Sequence, residues 1–163
     1  MMMKKFLNSV AAVFMMGMSF PVSAAPAAAE KTAPAPAKRT VWLTRFGEAQ
    51  AVARKENKVI LVNFTGSDWC PWCVRLHDEV FKKKPFLDYA SKNLVLLMVD
   101  FPRRKPQSSE EKQANQAMAQ KYGVRGFPTI LLLDSNGSVI ARTGYRSGGA
   151  DAYVRHLQKL LKK

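Results

Sequence analysis

The chain is 163 residues long, 47% hydrophobic, and carries 26 basic residues against 12 acidic ones, a formal net charge of +14. Its basic clusters, Lys82-Lys83-Lys84 and Arg103-Arg104-Lys105, lack the interleaved aromatics of a nucleic-acid platform; they read as solvated surface or, more sharply, as an attraction for anionic envelope surfaces or acidic client proteins. Its two cysteines lie three positions apart and cannot staple distant segments, which excludes a disulfide-stapled scaffold.

The chain opens with Lys4 and Lys5, an almost wholly apolar run from Phe6 to Phe20, and the small residues of Val22-Ser23-Ala24. This pattern predicts a signal peptide over residues 1–24, cut before Ala25. The apolar run is short for a membrane span, and no cysteine follows it for lipid attachment, so no stable membrane insertion is expected after signal removal. Residues 25–40, rich in Ala, Pro and Lys, have nothing to bury and read as a tether. Residues 41–163 are of single-domain length and can bury a core. The expected location is periplasmic or secreted, where disulfides persist.

Within the domain, residues 42–57 read as a helix with Phe46, Ala49 and Ala53 on one face, and Val59 to Phe64 as a buried strand. The strand runs into Thr65-Gly66-Ser67-Asp68-Trp69-Cys70-Pro71-Trp72-Cys73, followed by helical spacing of apolar residues to Phe81. Cys70 therefore falls at a helix start, where unpaired backbone N–H groups and the helix dipole favour a thiolate. Lowering a thiol pKa from about 8.5 to about 7 raises the thiolate fraction at neutral pH from about 3% to about 50%. Intrinsic nucleophilicity falls in partial compensation, leaving about a three-fold net gain in attack rate. The larger benefit is a better leaving group when Cys73 attacks a mixed disulfide, a step made intramolecular by the spacing.

Two blander uses of the pair remain open at this point. One is a structural disulfide. The other is half of a metal site, with His77 one helical turn beyond Cys73 as a third ligand; Asp68, Asp78 and His156 offer no convincing fourth. Neither a metal nor a cofactor is expected.

Further along, Pro85 fits the first position of a short helix through Ser91, and Leu94 to Val99 reads as a second buried strand. Ser108 with Glu111 forms a capping box, opening a helix with a stripe of Ala114, Ala117, Met118 and Tyr122 that ends at Gly123. Thr129 to Leu133 and Ser138 to Thr143 read as strands of a hairpin turned by Asn136-Gly137, and a last helix carries Val154, Leu157 and Leu161. The order predicts an α/β fold, a largely parallel central sheet covered by helices on both faces with antiparallel strands at one side.

With these elements in place, the chain resembles the thioredoxin superfamily. Leu61-Val62-Asn63-Phe64 leading to Trp69-Cys70-Pro71-Trp72-Cys73 resembles its active-site strand and motif, and Tyr122-Gly123-Val124-Arg125-Gly126-Phe127-Pro128-Thr129 resembles its cis-proline loop. The resemblance implies a thioredoxin fold with a mixed sheet, an exposed attacking Cys70, a buried resolving Cys73, and a cis Pro128 beside them. It also implies that Trp69, Trp72, Phe127, Pro128 and Gly144 line a groove for client proteins. The sequence departs from the family where Asn63 stands in place of a buried Asp and Leu96 in place of a neighbouring Lys. Asn63 cannot take a proton, so another group, water or the client must serve Cys73. Asp68 and His77 are candidates, although Asp68 also suits a helix cap and His77 a helix face. The Gly126-Phe127-Pro128-Thr129 loop differs from that of glutaredoxins and does not support glutathione dependence.

The resulting expectation is an exported thiol:disulfide oxidoreductase that reduces or isomerises protein disulfides. It would act on disulfide-containing clients and draw on a redox partner in the envelope, with no nucleic acid as partner. A disulfide-forming oxidase, and a non-catalytic binding or metal-carrying module, are the alternatives.

Overall fold

The structure, a computed structural model, describes residues 40–162. The expected signal peptide and tether lie outside the described residues, apart from Thr40. Among the described residues no helix is long and apolar enough to cross a membrane.

The elements are β1 (Trp42–Leu43), α1 (Phe46–Glu56), β2 (Val59–Thr65), α2 (Pro71–Leu76), a π-helical turn (His77–Phe81), α3 (Lys84–Asn93), β3 (Leu94–Asp100), α4 (Ser109–Lys121), β4 (Thr129–Leu133), β5 (Val139–Thr143) and α5 (Gly149–Leu161). One sheet holds all five strands in the order β1-β3-β2-β4-β5. Strands β1, β3 and β2 are parallel, while β4 runs antiparallel to β2, and β5 antiparallel to β4. This is the mixed sheet of a thioredoxin fold.

Strand β2 shows why the sheet sits in the middle. Successive side chains of a strand point to opposite faces, and both faces of this one are apolar. Leu61 joins a core with Leu76, Val80, Phe81, Phe86, Tyr153 and Leu157 on one side. Ile60, Val62 and Phe64 join Ala49, Ala53 and Tyr122 on the other. Helices α2, α3 and α5 cover the first face, and α1 with the end of α4 covers the second. At about 25 cal/mol per Å² of apolar surface buried, these two layers are the main source of stability.

The structure revises several local expectations. Trp42 and Leu43 form a strand rather than a helix start, pairing with Leu96 and Leu97 of β3. The Trp42 ring, 5.2 Å from that of Phe81, secures this, so tertiary packing overrides the local helical spacing. The helix after the cysteines breaks into α2 and the π-helical turn, where the Lys82 N–H donates to the His77 carbonyl at 3.0 Å. In α4, Ala114 and Ala117 face solvent and Asn115 is buried instead. Its Nδ2 donates to the Asp100 carbonyl at 2.8 Å, so a polar contact to the end of β3 sets the rotation of that helix. Helix α5 buries Ala150, Tyr153 and Leu157, leaving Val154 and Leu161 half-buried. Other signals read directly: the Ser108 hydroxyl accepts the Glu111 N–H at 3.1 Å, and Gly123 follows α4 with φ +58°.

Candidate redox site

Topology brings the expected site residues to one end of the sheet. In the antiparallel pairing of β2 and β4, Phe64 lies opposite Thr129. The segment leaving β2 toward Cys70 therefore emerges beside the loop that delivers Pro128. Likewise Thr143 pairs with Ile130, which carries Gly144 and Tyr145 to the same end. The Phe127–Pro128 peptide bond is cis. A Cβ added to Gly144 would lie 3.1 Å from the Pro128 carbonyl oxygen, so glycine permits this close approach of two backbones.

Cys70 occupies the N-cap of α2, with Pro71 in the first turn of the helix. Its sulfur accepts the Cys73 backbone N–H at 3.2 Å, and its carbonyl accepts the Val74 N–H at 3.1 Å. The two cysteines form a disulfide with Cα atoms 5.2 Å apart. Each is only 4% exposed, which corrects the expected contrast between an exposed Cys70 and a buried Cys73. In the oxidised state the cysteines differ by position instead: Cys70 sits at the helix start, and Cys73 borders an inner cleft.

That cleft, about 360 Å³, is lined by residues including Asn63, Thr65, Ser67, Cys73, His77 and Asp100. Asn63 is buried, and among the described residues its Oδ1 is the one buried side-chain oxygen or nitrogen without a hydrogen-bond partner. An amide thus stands in the cleft behind Cys73 and cannot exchange a proton as a carboxyl would.

Asp68 is neither a helix cap nor a free carboxylate beside the sulfur. Its oxygens accept the backbone N–H groups of Arg103 at 3.0 Å, Arg104 at 2.7 Å and Lys105 at 3.0 Å. These amides, that of Arg103 foremost, hold its carboxyl below the ordinary carboxylate range. The basic run 103–105 is therefore a loop gripped by an acid of the active-site segment. Ser67 strengthens the same junction, its N–H and hydroxyl both donating to Asp100.

Trp69 binds these loops together. Its Nε1–H donates to the Phe101 carbonyl at 2.7 Å, its ring lies edge-on to Phe127 at 5.9 Å, and the Arg103 guanidinium stands 3.9 Å from the ring centre. Phe127 in turn stacks on Phe101 at 5.1 Å. Trp69 and Phe127 are thus half-buried braces of the site. Trp72 is different: it is 52% exposed and 5.1 Å from the ring of Tyr145.

Arg75, Tyr145 and Glu79 did not stand out in the sequence. The Arg75 guanidinium lies 5.7 Å from the Trp72 ring centre and 5.6 Å from that of Tyr145. Its Nε pairs with Glu79 at 2.5 Å, and the Tyr145 hydroxyl donates to the same carboxylate at 2.8 Å. The Arg75 hydrogen bond is the main reason the Glu79 carboxyl is held below its ordinary range. Spacing held a partial signal, since Trp72, Arg75 and Glu79 follow one helix face at intervals of three and four.

The possible metal ligands are scattered. His77 Nδ1 lies 3.5 Å from Asp78, and His156 Nε2 lies 2.9 Å from the Thr143 hydroxyl. Among the described residues no three His, Cys, Asp or Glu side chains gather as a metal-holding group.

Comparison with known proteins agrees with this geometry. Residues 46–160 match the thioredoxin-like domain family. Disulfide bond reductase DsbH of Chlamydia pneumoniae is 35% identical over 133 residues, covering 82% of this chain and 80% of that protein. A solved structure of a DsbH oxidoreductase superposes with a TM-score of 0.73 at 35% identity, over 83% of this chain and 93% of the other. A thioredoxin from Thermus thermophilus, 18% identical, shares the fold with a TM-score of 0.55, over 75% of this chain and 88% of its own. The chain belongs to the thioredoxin-like family, and with its Cys70–Cys73 pair it is a thiol:disulfide oxidoreductase.

Proposed function

We propose that the protein is exported and works in the reducing direction, opening disulfides of envelope or secreted client proteins. The observation that carries this reading is the setting of Cys70, a helix N-cap sulfur that accepts one backbone N–H and has Pro71 and Trp72, neither of them a cation, between it and Cys73. A helix start stabilises a thiolate enough for attack, while a strong oxidant needs further stabilisation of its reduced form. The reductase name of the Chlamydia pneumoniae relative points the same way.

In the reaction, the Cys70 thiolate attacks one sulfur of a client disulfide, forming a mixed disulfide and releasing a client thiolate. Cys73 gives its proton to that thiolate and attacks the Cys70 sulfur. The bond between Cys70 and the client breaks, and the second client thiolate takes a proton from solvent. The client gains two electrons, and the protein is left as the Cys70–Cys73 disulfide. A dithiol partner in the envelope would return the two electrons by the reverse exchange. Pro128, Phe127 and Gly144 would hold the client backbone at the same end of the sheet, in the manner of strand addition.

A single-turnover assay tests the direction. The full chain, reduced with dithiothreitol and freed of it, should open about one insulin disulfide per molecule. Persistence of the dithiol form beside intact insulin would overturn the reading. Export is tested separately by envelope fractionation, where recovery with cytoplasmic markers would contradict it.

A further inference from the structure

Beside the disulfide lies a hollow of about 550 Å³ lined by Trp72, Arg75, Tyr145, Arg146 and Ser147. Trp72 sits between the two cysteines and Tyr145 follows Gly144, so the hollow adjoins both the redox pair and the backbone that faces Pro128. A second hollow, about 270 Å³, shares Arg146 and Ser147 and continues along α5 past Arg155, His156 and Lys159. Together they form a trough with two aromatic rings at the redox end and cations along its length.

The charge of the trough is uneven in an informative way. Among the described residues lining the two hollows none is acidic. The acid nearest the rings, Glu79, is engaged by Arg75 and by the Tyr145 hydroxyl. That grip fixes the Arg75 guanidinium beside both rings and consumes much of the single negative charge. Arg146 is exposed, with no ion pair to an acid among the described residues. His156 is poorly placed to add charge, because burial and then Arg146 and Lys159 push its pKa down. Arg146, Arg155 and Lys159 therefore face solvent, with no ion pair to an acid among the described residues, as a row of cations leading to Trp72.

We infer that this trough is a specificity site for acidic client segments, taking the carboxylates of Asp or Glu residues within a few positions of the client cysteine joined to Cys70. The inference rests on the proposed reductase reading and names its substrate class. The aromatic pair supplies contact area for the client chain, while the guanidinium of Arg146 offers paired donors to a carboxylate. Complementary charge of this kind selects partners and raises association rates, whereas a lysine-rich segment is repelled.

The test uses the dithiol form of the full chain and three peptides, each with one cysteine activated as a 2-pyridyl disulfide and flanked by Glu, Gln or Lys. Attack on the peptide sulfur releases pyridine-2-thione, and Cys73 then displaces the peptide thiol, so each turnover is counted optically. The Glu peptide should react about two- to ten-fold faster than the Gln peptide, and the Lys peptide slowest, with the differences shrinking as salt shortens the Debye length. Arg146→Glu should invert the order of the Glu and Lys peptides; Arg146→Lys should keep it. Lys159→Glu should narrow the Glu-to-Gln ratio in the same direction. Equal rates for the three peptides, or an order untouched by Arg146→Glu, would overturn the trough as a specificity site. Failure to turn over even the Gln peptide would instead count against the reductase reading itself, which keeps the two failures distinguishable.

Discussion

The backbone N–H of Cys73 points at the sulfur of Cys70 from 3.2 Å, so the second cysteine of the pair supplies a hydrogen bond that favours negative charge on the first. The relationship is asymmetric, since Cys70 is the N-cap and Cys73 lies within the helix. We infer from it that Cys70 attacks and Cys73 resolves. Cys73→Ser should therefore accumulate mixed disulfides with client proteins, visible as reductant-sensitive adducts on gels, whereas Cys70→Ser should not. Equal trapping by both variants would reject the division of roles.

Asn63 gives a second handle on the pair, because its Oδ1 is buried and unpartnered and the residue lines the same cleft as Cys73. Asn63→Asp would place a carboxyl in a buried position, where desolvation raises its pKa above the unfolded value of about 3.9. The folded state then holds the proton more tightly. Stability is highest below the unfolded pKa, falls as pH rises toward the folded one, and is level above it. A rise of one to two units corresponds to a loss of about 1.4 to 2.7 kcal/mol across that window. Urea unfolding of the variant and wild type from pH 4 to 8 reads the difference; a gap independent of pH would show that the position is well solvated.

Gly66 lies under the Trp69 ring, and a Cβ there would come within 2.5 Å of the indole. Trp69 is pinned by its bond to Phe101 and its contact with Phe127, so it cannot simply swing away. Gly66→Ala should cost about 1 to 3 kcal/mol, as overpacking does, and slow client reduction by displacing the braces of the site. An unfolding midpoint equal to wild type would show that the indole relocates freely.

Asp68 ties the active-site segment to residues 103–105, and its folded pKa is lowered chiefly by the Arg103 amide. A lowered carboxyl pKa contributes stability that is present above the unfolded value and lost as pH falls through the folded one. Asp68→Asn should thus be less stable than wild type at neutral pH, with the gap closing below about pH 4. A gap that persists at pH 2 would mean the carboxylate charge is not the source.

The parts of the site that depend on neighbours in sequence were legible before the structure. The strand, the Cys70-to-Cys73 segment and the loop ending in Pro128 are local patterns, and their order determined the fold. What escaped was set by distant partners. Asp68 finds its amides 35 to 37 positions away, so no local pattern separates a loop anchor from a helix cap. Trp42 and Leu43 become a strand only through β3. The Trp72–Tyr145 pair joins α2 to the segment after β5, and Asn115 looks misplaced in an apolar stripe until the Asp100 carbonyl is seen opposite it. The expected exposure of Cys70 failed for another reason: in the disulfide state both cysteines are buried to the same extent.

The reduction potential of the Cys70–Cys73 couple tests the reductive reading most directly. One helix start and one amide hydrogen bond stabilise the thiolate, the residues between the cysteines add no charge, and the Asp68 carboxylate is occupied by the 103–105 loop. Equilibration of the full chain against glutathione buffers should give a value between about −270 and −180 mV, the range from thioredoxin to protein disulfide isomerase, together with reduction of insulin. A value above about −150 mV, close to that of the oxidant DsbA, with insulin left intact, would contradict the reading and make the protein a disulfide-forming oxidase.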